Sequence, residues 1–188
     1  MNRKLLLALT VGALLTVNIN AKTSKEYFDN GKLKFEYNYQ NGKKNGITTQ
    51  YYTNGKIEAK WNFKDDILNG VSTKYDHNGK KISDINFVDG KEEGVTTRYD
   101  KDENLQYELN YKNEKLNGIS KEYENGKLKA HYNYKDNIKE GKSTIFYPNG
   151  KAQYDLNYEK GKLNGTSIEY FENGNKKAEW NYKDGVLD

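Results

Sequence analysis

The sequence predicts an all-β repeat protein in which seven 24-residue β-hairpins form one elongated, twisted, antiparallel, single-layer sheet. Three observations carry that prediction. A glycine recurs as Gly46, Gly70, Gly94, Gly118, Gly141 and Gly165, in steps of 24, 24, 24, 23 and 24. An aromatic follows each by five residues, as Tyr51, Tyr75, Tyr99, Tyr123, Phe146 and Tyr170, and Tyr27 begins that series. Between these marks the chain alternates apolar and polar residues, the period of a half-buried strand.

The elements follow in chain order. Arg3 and Lys4 precede a mostly apolar run, Leu5 to Val17, and Asn18 to Ala21 ends in a small residue. This reads as a secretory signal peptide over residues 1–21. A membrane anchor is the alternative, but 13 apolar residues fall short of the ~20 that span a bilayer. Seven copies of 24 make 168; one copy lacks a residue, giving 167, the length of residues 22–188. The two domains expected are therefore a leader over 1–21 and a repeat array over 22–188, exported to the periplasm or secreted.

Within a copy, Ile57, Ala59, Trp61 and Phe63 alternate with Lys56, Glu58, Lys60 and Asn62, which predicts a strand with one apolar face. Leu33, Phe35, Tyr37 and Tyr39, and Leu105, Tyr107, Leu109 and Tyr111, repeat it. The preceding Ile47 to Tyr51 alternates more weakly but is rich in β formers. Asn54-Gly55 between them is a hairpin signal, because both residue types accept positive φ. A second, glycine-containing turn such as Lys64-Asp-Asp-Ile-Leu-Asn-Gly70 leads to the next copy. A lone hairpin is marginal in water, so the copies must stack. At ~4.8 Å between strands, fourteen strands give a ribbon about 65 Å long.

Stacking predicts one aromatic face and one face of Lys, Glu, Asn and Ser. The candidate partner-binding residues are Tyr37, Tyr39, Tyr51, Trp61, Phe63, Tyr75, Phe87, Tyr99, Tyr111, Tyr123, Tyr132, Tyr134, Tyr158, Tyr170, Trp180 and Tyr182. They serve as core by stacking on their neighbours. A single layer leaves them uncovered, and an exposed aromatic patch marks a binding surface. Asn62 and its six copies stand before an aromatic on the polar face, placed for a stacked ladder or a turn hydrogen bond. Glu103 replaces a turn glycine and Tyr123-Glu-Asn-Gly126 is one residue short, so a local change of twist is expected near 100–126.

Composition excludes much chemistry. There is no cysteine, so no disulfide. Without residues 1–21 the charge is 29 minus 27, or +2, and Arg98 is then the one arginine, which argues against nucleic acid. His77 and His131 read as exposed substitutions within the repeat. Asp100-Lys-Asp102-Glu-Asn104 imitates a calcium loop, but Leu105 and Tyr111 stand where Gly and Glu belong. No phosphate-cradling motif is present. The expectation is no enzyme activity, cofactor, metal or small-molecule substrate.

The run Tyr39-Gln-Asn-Gly42-Lys-Lys-Asn-Gly46-Ile-Thr-Thr-Gln-Tyr51-Tyr-Thr-Asn-Gly55 resembles the MORN repeat, most of all the variant in bacterial YwqK-like antitoxin proteins. The resemblance covers 22–188 and implies hairpin repeats in a single-layer sheet, with scaffolding, protein-binding or dimerising roles and, in some members, membrane-lipid association. The Tyr-x-Gly-x-Trp opening of the standard repeat is absent. The leading reading is an exported, non-enzymatic scaffold that binds a protein partner or itself. The alternative is an antitoxin or immunity protein whose partner is a toxin. Glycan or lipid binding ranks below both.

Overall fold

The computed structural model describes residues 20–188, so the leader expected over 1–21 lies, but for Asn20 and Ala21, outside the described residues. All 21 strands of the described chain join one antiparallel sheet. Strand β1 (Ala21–Tyr27) pairs with β2 (Leu33–Gln40). The two-residue β3 (Lys43–Lys44) turns back along β2, and β4 (Gly46–Tyr51) continues on the same side. β4 then forms the next hairpin with β5 (Ile57–Lys64), which carries β6 (Ile67–Leu68) and β7 (Gly70–Tyr75) in the same way. The pattern runs to Val186–Leu187 without a crossover, so every long strand touches only its neighbours in sequence. The seven-copy hairpin array is as expected.

Two kinds of turn build it. The loop from β4 to β5 closes on Tyr52 and Lys56 around three residues: Gly55 N–H donates to Tyr52 O at 2.8 Å and Tyr52 N–H to Lys56 O at 2.8 Å. Gly55 has φ +89°, while Asn54 keeps negative φ, which is a type I turn closed by a left-handed glycine. Asn54 serves otherwise: its Oδ1 accepts Lys56 N–H at 2.9 Å and its amide donates to His77 O of the next copy. Lysines join successive loops in the same direction. Lys32 Nζ reaches Thr53 O, Lys56 reaches Asn78 O and Lys80 reaches Lys101 O, at 2.6–2.9 Å.

The return turn differs from its sequence reading. It is a two-residue turn with both residues at positive φ, and in the second copy these are Asp65 and Asp66, with no glycine. Gly70 lies four residues beyond, in a bulge. At the equivalent bulge around Gly46, Tyr39 faces Lys44 but Glu36 faces Thr49. Three steps on one strand (39 to 36) thus match five on the other (44 to 49), and two residues are in excess. Asn45 N–H still donates to Asn38 O at 2.9 Å. Beyond it, side chains complete the ladder. Asn38 Nδ2 donates to Ile47 O at 2.7 Å, Asn86 Nδ2 to Glu93 O at 2.7 Å, and Asn157 Nδ2 to Thr166 O at 2.5 Å. Ser72 Oγ accepts Asn62 N–H at 3.0 Å, and Ser120 does the same for Asn110 at 3.2 Å. The repeated asparagine is therefore a bulge clasp, the hydrogen-bonding alternative of its two readings.

The two sequence irregularities are absorbed in loops. Glu103 adopts φ +63° and keeps its loop bonds, Asp100 N–H to Asn104 O at 2.9 Å and Glu103 N–H to Asp100 O at 3.0 Å. The one-residue deletion gives a two-residue turn at Asn125 (φ +52°) and Gly126 (φ +74°). Pairing continues through this region from Ser83 to His131.

The core is thin. The buried apolar residues are Ala59 and Ala130, each 1% exposed. The row Thr48, Ser72, Thr96, Ser120, Ser143 and Ser167, 0–3% exposed, runs down the middle of the sheet. These hydroxyl residues stand opposite Trp61, Ile85, Tyr132 and Trp180 on the aromatic side, not on the polar face where serine was expected. A small residue fits there because its large cross-strand partner leans over it.

The clasp yields a test. Gly46 (φ +84°) has open space where a Cβ would stand, whereas at Gly70 (φ +88°) that Cβ would meet Asn62 Nδ2 at 2.8 Å. Gly46→Ala should cost the left-handed strain alone, about 1–2 kcal/mol. Gly70→Ala should cost more, by about 1 kcal/mol or above, since the Asn62 amide must also move. Urea unfolding of the two variants measures the difference; equal losses would remove the asparagine from the account.

Candidate functional site

Cross-strand partners share a face, and neighbours along a strand alternate. From Trp61 outward, its face holds Phe35, Tyr37 and Tyr39, then Trp61 and Phe63, Ile85 and Phe87, Tyr107, Leu109 and Tyr111, Tyr132 and Tyr134, Tyr154, Leu156 and Tyr158, and finally Trp180 and Tyr182. All are half-buried. Phe35, Tyr107 and Tyr154 belong to this row although sequence reasoning did not single them out; their alternation with Tyr37, Leu109 and Leu156 was the available signal.

Five predicted members lie elsewhere. Tyr51, Tyr75, Tyr99, Tyr123 and Tyr170 point to the opposite face. A second bulge, at the hairpin mouth, causes this. Gln50 faces Ala59, but Tyr51 faces Ile57, so Glu58 is passed over. Tyr51 then shares the face of Thr49 and Lys60, away from Trp61. Hydrogen bonds mark the same placement. Tyr99 Oη donates to Asp84 at 3.1 Å, Tyr123 Oη to Glu108 at 3.0 Å and Tyr170 Oη to Asp155 at 3.2 Å. These tyrosines pin carboxylates of the preceding copy and do not extend the aromatic platform.

The platform is graded by the residues of the two-residue strands. Lys44 Nζ lies 4.9 Å from the Tyr37 ring centre and 5.3 Å from that of Phe63. Lys139 Nζ lies 3.7 Å from Tyr132 and 5.1 Å from Tyr158, and burial lowers its pKa. Two slots of the platform are thus filled by the chain's own ammonium groups through cation–π contacts. Next to the first, Phe35, Tyr37, Lys44, Thr48, Trp61, Phe63 and Leu68 line an open groove of about 320 Å³. Tyr37 is pushed up to about 12 by burial and by the Glu26 carboxylate, which accepts its hydroxyl at 2.8 Å.

The remaining candidates are tied into the fold. His77 is exposed and stacks on Tyr52 at 3.9 Å between ring centres. His131 is half-buried rather than exposed, 5.6 Å from Phe146, and burial lowers its pKa. Asp100 Oδ1 accepts Asn104 N–H at 3.0 Å and Asp102 N–H at 2.8 Å, bonds that lower its pKa and close its own loop. The calcium-like run is a turn cap.

A family model described as MORN repeat variant matches residues 22–41, 44–65, 68–89, 92–113, 116–136, 139–160 and 163–184. Each matched stretch after the first opens on a two-residue strand and closes on a return turn, so the family unit is the clasp plus its hairpin. No curated protein matches the chain.

The carboxylate pins predict an acid response. Lys121 and Tyr123 hold Glu108 below its usual value against the opposing effect of burial. A group with a depressed native pKa adds stability that is complete above its unfolded value and is lost as pH falls through the native one. Denaturation midpoints measured from pH 6 to 3 should fall, and Glu108→Gln should flatten that fall while lowering stability at pH 6. An unchanged pH profile would contradict the pin.

Proposed function

The chain belongs to the MORN repeat variant family, whose repeats in general mediate protein or membrane interaction, and from that premise we propose an exported, non-enzymatic scaffold that binds a protein along its aromatic face. The observation that supports it is the row of half-buried aromatics from Phe35 to Tyr182, which no second layer covers among the described residues. Uncovered contiguous aromatic surface marks a recognition site, and Trp and Tyr contribute most where they can be desolvated by a partner. Trp61 and Trp180 are the anchors. Trp61 is positioned by Gln50, whose Oε1 accepts the indole N–H at 3.0 Å, so its ring is presented without rotamer freedom to lose. A protein suits this surface because the row is long, shallow and studded with fixed ammonium groups, unlike an enclosing small-molecule pocket. The export reading rests on the pattern of residues 1–21.

The test uses the purified chain as bait against envelope and secreted proteins of its source cell. Trp61→Ala with Trp180→Ala should weaken capture of the partner at least about tenfold, while Tyr75→Phe on the opposite face should leave it unchanged. Equal loss from both, or capture indifferent to the tryptophans, would remove the aromatic face from the reading. A captured protein that proves toxic to the cell, and is silenced by the chain, would establish the antitoxin alternative.

A further inference from the structure

We propose that the two edges of the sheet pair with each other between molecules, head to tail, so that a second copy of this chain continues the array. The edges are β1 at one end and the last long strand, Lys176–Lys183, at the other. Among the described residues, that last strand pairs on its outer side only with Val186 and Leu187, which are 69% and 57% exposed. At the opposite end Tyr27 is 56% exposed. Unpaired strand edges template further strands.

The residues at these edges specify the register. Ser24-Lys25-Glu26-Tyr27 repeats, letter for letter, Ser120-Lys121-Glu122-Tyr123. The latter stretch joins the fourth copy to the fifth. There Glu108 faces Lys121, with Nζ and Oε2 2.8 Å apart. Tyr123 Oη donates to the same carboxylate at 3.0 Å, and Ser120 Oγ accepts Asn110 N–H at 3.2 Å. In the last copy, Glu179 and Asn181 occupy the positions of Glu108 and Asn110. The edge of one molecule thus carries the glutamate and asparagine of that junction, and the partner's Lys25, Tyr27 and Ser24 supply the rest. Asn181 already receives Thr166 Oγ1 on its Oδ1 at 2.9 Å, which leaves its amide to clasp the carbonyl of the partner's Thr23, as Asn157 clasps Thr166.

The phase fits as well. Asp188 N–H donates to Asn181 O as Asn45 N–H does to Asn38 O, so Asp188 stands where Asn45 stands. With Ser24 at the place of Ser120, the partner's Lys22 falls at the place of Gly118, the one after that held by Asp188. Asn20 and Ala21 then compete with Leu187 and Asp188 for the same ladder, and the leader cleavage expected at Ala21/Lys22 would remove them. Each junction repeats the previous one, so the contact is heterologous and does not close; it yields filaments rather than a dimer.

Sedimentation velocity tests the proposal on the full chain and on the chain beginning at Lys22, which retains every strand of the sheet save Ala21 at the start of β1. Concentration-dependent species larger than a dimer are expected, more strongly in the shorter form. Lys25→Glu and Glu179→Lys should each weaken association at least about tenfold, and the double variant should restore it. Circular dichroism establishes that each variant is folded. A folded monomer in both forms up to about 1 mM, the weakest association worth the name, would overturn the proposal. So would association indifferent to the two charges, or a double variant no better than either single one.

Discussion

The sheet depends on one recurrent constraint: two surplus residues must be taken up at every junction between copies without leaving the ladder open. An unpaired buried amide or carbonyl costs about as much as several good contacts gain. The asparagine amide and the serine hydroxyl supply the missing partners, and glycine provides the positive φ and, at Gly70 and Gly94, the room for the amide. Because side chains alternate with period two, this fixed excess also decides which face every following residue takes. Had the excess been one residue, the next strand would present its lysines where Trp61 and Phe63 now lie.

That dependence explains what was legible in the sequence. The period, the strands and the hairpin count follow from spacing alone, because Gly, Asn and the aromatics each mark a fixed place in a unit. Faces are a finer matter. Trp61 and Phe63 were placed correctly because they lie beyond the bulge of their strand, where alternation runs unbroken from Ala59 to Phe63. Tyr51 and its copies were not, because the passed-over Glu58 reverses their side, and a bulge leaves no mark in a simple alternation count. Ser72 was misplaced for the same reason: its face is set by what it pairs with across the strand, and its neighbours Val71 and Thr73 gave no contrast to read. The return turn at Asp65-Asp66 lacks a glycine, so the reading spread the turn over Lys64 to Gly70, whose glycine belongs to the bulge that follows.

The same geometry shows how so polar a chain holds together. Burial is shallow everywhere, and the most deeply enclosed side chains are serines and threonines. Cohesion comes from contacts between adjacent copies: tyrosine on carboxylate, ammonium between rings, and lysine on the carbonyl of the next loop. Such stability is a sum over neighbours. The fourth copy lacks one of these terms, because Asn104 stands where Lys32, Lys56 and Lys80 stand in the others and has too short a side chain to reach the following loop. Glu103 beside it holds positive φ without a glycine. Two small losses fall on one loop, which makes it the weakest tie between successive hairpin ends even though strand pairing runs through.

A one-dimensional array presents the same surface again at every copy, so specificity along it resides in departures from its own repeat. Along the aromatic platform, the two-residue strands bring Lys44, Leu68, Glu92, Leu116, Lys139 and Leu163 to equivalent places. Leucine leaves a slot apolar; lysine fills it with a partly desolvated cation held by two rings; glutamate reverses its sign. Each residue pairs with the end of a long strand through its main chain whatever its side chain, so a change here alters a local side-chain contact and leaves the strand pairing in place. These residues are therefore free to vary without loss of fold. The order of charged and apolar slots along a regularly spaced row is, with the two tryptophans near its ends, what distinguishes the ends of this surface from its middle, and a long partner lying along it would be held in one direction by that order.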